Sequence, residues 1–123
     1  MDRKRFEKLV EEALADIPPK FRDLLDNIAV IVEAKPPRGR NLLGLYHGVP
    51  MRYRGPNYGN VPPDVIVIYQ EPIESICRTD EEVRDEVRET VLHEVGHYFG
   101  LDERTLRDIE WTRRRPRKKG DGT

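Results

Sequence analysis

His93 and His97 stand four residues apart, with Glu94 directly after the first, in the string HEVGH. On an α-helix, positions i and i+4 share one face, so two such imidazoles can reach a single metal ion. Glu94 projects from the neighbouring position and falls beside that ion, where a carboxylate serves as base toward metal-activated water. The string runs on through Gly100 to Asp102 and Glu103, completing HExxHxxGxxE. Catalytic zinc takes three protein ligands and keeps a fourth position open. A glycine can turn the chain out of the helix sharply enough for a later side chain to swing back. Glu103, six residues after His97, stands where the third ligand is expected, and Asp102 is the neighbouring alternative. The chemistry implied is zinc-assisted hydrolysis, with His93, His97 and Glu103 holding Zn²⁺ and Glu94 as the catalytic base.

Each of these residues also has a plainer role to be weighed. Paired histidines can be buried polar residues, but a helical wheel argues otherwise. Val83, Val87, Val91, Leu92, Val95, Tyr98 and Phe99 fill one arc of about 180°. His93 and His97 lie outside it with Glu86 and Thr90, facing a groove or solvent beside the core. Asp102 and Glu103 equally suit the start of a following helix, which does not exclude ligation. His47, the only other histidine, reads as an ordinary polar strand residue, with a ligand role as the alternative. Cys77 reads as a small buried hydrophobe. Leu106, Ile109 and Trp111 read as packing residues.

The elements that must position these side chains are legible from patterning. Phe6, Leu9, Val10, Ala13, Leu14 and Ile17 recur at helical steps, and Pro18-Pro19 ends that helix. A short helical turn over residues 20–25 follows. Residues 27–34 (NIAVIVEA) and 64–70 (DVIVIYQ) predict strands, the second covered on both faces or nearly so. Residues 42–47 and 49–53 flank Gly48 and read as a hairpin-like pair, before a Gly- and Pro-rich loop over 54–63. A turn of helix is expected over 72–77. Thr79 then caps a long helix that runs to about Gly100 and carries the histidines, with a last helix over 103–111 capped by Asp102.

The composition bounds the rest. In 123 residues, 37% are hydrophobic and 37% charged, which fits one domain around one modest core. The longest apolar runs, residues 28–32 and 65–69, are too short to cross a bilayer, so no membrane role is expected. A charged first segment without a signal-like apolar stretch, and a single cysteine, predict a cytoplasmic protein. Residues 113–123 carry six Lys/Arg and one Asp, a +5 tail on a body of −6 within a net charge of −1. Such a tail can touch nucleic acid but more often is solvated chain, so nucleic acid is not the expected partner. Ten prolines, heavy charge and few Asn, Gln, Cys or Met suggest a heat-adapted source.

Beyond the zinc motif, three segments carry a family resemblance. LLGLYHGVPMRYRG is similar to an LLGLY-x-G-V-P segment, PPDVIVIYQEPI to a P-D-x-I-x-L/I-Y strand, and VRETVLHEVGHYFGLDE to an active-site helix. Together, over residues 6–111, the sequence resembles the small bacterial zincin-like metallopeptidases, also called minimal zincins. The resemblance implies an α+β fold in residues 1–112: a small sheet against the HExxH helix, with N- and C-terminal helices. It also implies a peptide or protein substrate. The residue matching Glu103 is an acid in the family, often Asp.

Two other readings come from different classes. A catalytically inactive zincin-like metal-binding or interaction module would bind metal without turnover. A metal-dependent ribonuclease resembling the rRNA-maturation factors would use a similar HxxxHxxGxx string. There, however, the third ligand is histidine and no Glu follows the first histidine, and both features differ here.

Overall fold

The computed structural model describes residues 1–25, 27–48 and 63–101. Helix α1 (Arg3–Ala15) begins at Asp2, whose carboxylate accepts the Arg5 N–H at 2.8 Å. That bond satisfies one of the amides a helix start leaves unpaired. The helix buries Phe6, Leu9, Val10 and Ala13, the stripe its spacing predicts. Pro18 and Pro19 break it and start the single turn of α2 (Pro19–Arg22).

Strands β1 (Ile28–Glu33), β2 (Gly44–His47) and β3 (Asp64–Tyr69) form one mixed sheet in the order β1-β3-β2. β1 runs parallel to β3, and β2 antiparallel to it. β3 therefore has a neighbour on each side, as its unbroken apolar run requires. Its Ile66 and Ile68 are fully buried against the helices, while Val65 and Val67 are half-buried on the other face. Residues 42–47 pair with β3, starting at Gly44. Their expected hairpin partner, 49–53, lies outside the described residues, as do most of the 54–63 loop and the 103–111 helix. The helical turn expected over 72–77 sits slightly earlier, as α3 (Gln70–Ser75) directly after β3.

Helix α4 (Asp80–Tyr98) starts at Thr79, whose hydroxyl accepts the Glu82 N–H at 3.1 Å. Asp80, Glu81 and Glu82 place three acids in its first turn, favourable to the positive end of the helix dipole. α4 packs against α1 and against both β2 and β3. Phe6, Ile17, Ile66, Ile68, Val87, Val91 and Val95 fill the space between them. The architecture is α+β: three strands with the helices packed on the face that Ile66 and Ile68 present.

The end of α4 is built to leave the helix abruptly. Gly100 N–H donates to His97 O at 2.9 Å and Leu101 N–H to Gly96 O at 3.0 Å, with Gly100 at φ +84°. This is a Schellman cap, and its left-handed position suits glycine because a Cβ there collides with the following carbonyl. Leu101 folds back onto the core. Replacing Gly100 by alanine is expected to lower stability by about 1–2 kcal/mol. A fall in the urea midpoint at constant slope would register it, and an unchanged midpoint would contradict it.

Candidate metal centre

α4 carries His93 and His97 one turn apart, their rings 4.8 Å between centroids at 82° to each other. One ligand atom from each histidine and one carboxylate oxygen of Glu94 all lie within 4.8 Å of one another. Both histidines are half-buried, whereas Glu94 is only 8% exposed. Two neutral imidazoles are good zinc donors, and their spacing brings both within reach of one ion. The donor set and its clustering fit zinc. Sequence reasoning places these three residues together, and the helix delivers them together.

The surroundings of the pair are less exposed than the helical wheel alone implies. Glu86 and Thr90, on the histidine side of the apolar arc, are buried at 7% and 6% exposure. The reason is β2, which crosses that side of α4 at Gly44. A Cβ on Gly44 would stand 2.8 Å from Thr90 Cγ2, 3.2 Å from Glu94 Cγ and 3.2 Å from Val67 O. The missing side chain is what lets the strand close on the helix. Leu43 and Gly44 on the strand, with Glu86, Glu89 and Thr90 on the helix, continue the groove beside His93 and Glu94 as a pocket of about 270 Å³.

The direction in which β2 presents its backbone follows from one hydrogen bond. Tyr69 N–H donates to Leu43 O at 2.9 Å. In an antiparallel ladder, bonded and non-bonded pairs alternate. With Gly44 opposite Ile68 and Leu45 opposite Val67, the amide and carbonyl of Gly44 point away from β3. Among the described residues no strand pairs with β2 on that side, where an added extended chain could pair. Sequence reasoning missed Gly44, although the glycine inside an otherwise apolar strand was a visible signal of close backbone approach.

The remaining candidates fall out differently. His47 is exposed at the far end of β2 and is not in the cluster. Cys77 is half-buried and packs on the core, as a small hydrophobe would. Glu103 and Asp102, the candidates for the third ligand, and the basic tail lie outside the described residues.

The sequence profile of the zincin-like metallopeptidases matches residues 25–112. The chain belongs to that family. Among solved structures, the chain is similar to a conserved hypothetical protein from Thermo thermophilus, at 28% identity and a TM-score of 0.56. The match covers 80% of this chain and 94% of that one. No match was found among curated proteins. α1 lies before the zincin-like profile begins, yet it packs directly on the helix that bears the histidines. Among the described residues no helix is long and apolar enough to cross a membrane.

Gly44 supplies a prediction for this zincin-like site. The Gly44→Ala variant must push β2 away from Thr90 and Glu94 or displace the stiff Thr90 side chain. Overpacking of this kind costs about 1–3 kcal/mol. Denaturant unfolding is the measurement, and a variant as stable as the parent would show that the strand yields freely.

Proposed function

We propose that this zincin-like protein is a zinc-dependent peptidase that cleaves an extended peptide lying beside β2. One observation carries the reading: ligand atoms of His93, Glu94 and His97 cluster within 4.8 Å, and Glu94 lies close beside Gly44 of β2. His93 and His97, as neutral imidazoles, and Glu103, as carboxylate, would hold Zn²⁺, with Asp102 the alternative third ligand. A zinc ion bound there supplies a Lewis acid that polarises a carbonyl and makes water nucleophilic near neutral pH.

The chain's own groups account for the other requirements. The Gly44 amide and carbonyl would hold the substrate backbone, so that side chains matter less than an extended conformation. Glu94 Oε would accept the proton of the attacking water and pass it to the departing amine nitrogen. Its Cγ lies close beside Gly44 and its side chain is only 8% exposed, which restricts the positions open to the carboxylate. A peptide or unfolded protein segment is the substrate class, with nucleic acid and membranes outside it.

The test has two parts. Protein purified without chelators or affinity tags should contain close to one equivalent of zinc by mass spectrometry, and less than about a tenth would count against a preformed site. The zinc-loaded protein should then cut members of a peptide library, with the cut bonds mapped by mass spectrometry. Full zinc without a single cut would point to the metal-binding module in place of the peptidase.

A further inference from the structure

Two residues outside the metal centre, Tyr46 of β2 and Asp64 of β3, are brought together by the pairing of those strands. Tyr46 Oη donates to Asp64 Oδ2 at 2.6 Å. Asp64 is 2% exposed at the start of β3. Gly48 lies against the same carboxylate, so closely that a Cβ on it would overlap the Asp64 side chain. The ring of Tyr46 meets the ring of Tyr98 edge to face, 6.1 Å between centroids. Tyr98 is fully buried and directly follows His97 on α4.

These contacts join three elements that must keep their spacing for the proposed reaction. Tyr46 sits two residues beyond Gly44 on a strand of only four residues. Register pairing with β3 fixes that strand in the plane of the sheet, but its height above α4 is set by inward side chains. Gly44 supplies none, so Tyr46 is the inward side chain of β2 that touches α4 near the histidines. The short bond to Asp64 fixes the hydroxyl end of the ring while Tyr98 packs against the ring itself.

We propose that Tyr46 is a positioning residue. Acting through Asp64 and Tyr98, it sets the height of β2 over the His93–His97 pair, and so the place at which Gly44 holds substrate. The proposal rests on the peptidase reading for its catalytic consequence but not for its structural one. Tyr46 touches no reacting atom, so its removal should loosen substrate alignment while leaving the metal ligands and Glu94 in place.

The test is Tyr46→Phe, which deletes the hydroxyl and keeps the ring on Tyr98. Backbone amide exchange should quicken about tenfold at Leu45 and His47, whose N–H groups face β3, at constant zinc content. On a peptide that the parent cleaves, KM should rise about threefold or more while kcat stays within about twofold. A lower melting temperature with unchanged exchange at Leu45 and His47 and unchanged KM would overturn the proposal, because Tyr46 would then only stabilise the fold. If the parent cleaves nothing, the peptidase reading fails, and the exchange measurement alone decides. Quickened exchange confined to β2 then upholds the positioning role, and unchanged exchange removes it.

Discussion

Glu94→Gln is expected to abolish peptide cleavage while leaving zinc bound. The substitution preserves size and burial but removes the ability to take a proton. General acid–base catalysis by one positioned group contributes about 10²–10⁴-fold in rate. With Glu94 asked to act twice, once on water and once on the departing amine, the upper end of that range is the expected loss. Zinc should remain near the parent's content, because the two imidazoles and the proposed third ligand are untouched. The buried amide also keeps the close approach to Gly44, so unfolding should shift by less than about 1 kcal/mol. Cleavage of a verified substrate at the parental rate would remove Glu94 from the mechanism.

The second large effect is on the metal itself. His97→Ala removes one imidazole of the pair and should empty the site. In the proposed site of three protein ligands, losing one leaves two, which cannot enclose a tetrahedral ion with one open position. Zinc content should fall to below about a tenth of an equivalent, and all turnover should disappear with it. The variant remains foldable, because the helix buries its valines on a different arc from His97. Circular dichroism identical to the parent, with no zinc, is the expected pair of results. Retention of a full equivalent of zinc would place the ion elsewhere. His93→Ala should behave alike, whereas His47→Ala should retain zinc.

The features carried by local spacing were legible in the sequence. Thr79 announces the start of α4, and its hydroxyl does accept the Glu82 amide. The run from Val65 to Tyr69 announces a strand with neighbours on both sides. The four-residue step from His93 to His97 fixes both imidazoles on one face, because helix geometry admits nothing else. Gly100 announces the exit from the helix, and the Schellman cap delivers it.

What escaped depends on which distant segments meet. The β1-β3-β2 order is decided by packing between residues far apart in sequence, and neither periodicity nor turn signals encode it. For the same reason Thr90 and Glu86 read as a polar helix face, although β2 buries them. Gly44 was visible only as a glycine in a strand, without the helix it approaches. Tyr46 and Asp64 read as motif letters, and their hydrogen bond appears only when β2 and β3 pair. The third ligand, placed by sequence at Glu103 or Asp102, lies past the last described residue, Leu101.

The packing of α1 on α4 has a kinetic consequence. Residues 16–79 separate the two helices, and the parallel pairing of β1 with β3 spans another long interval. Contacts this distant require closing large loops before any of them is rewarded, which places the domain among the slower-folding small α+β topologies. During synthesis, α1 emerges before α4 and stays without this partner until α4 has been made. The groove between β2 and α4 is thus complete only once the last of these elements has been made and docked.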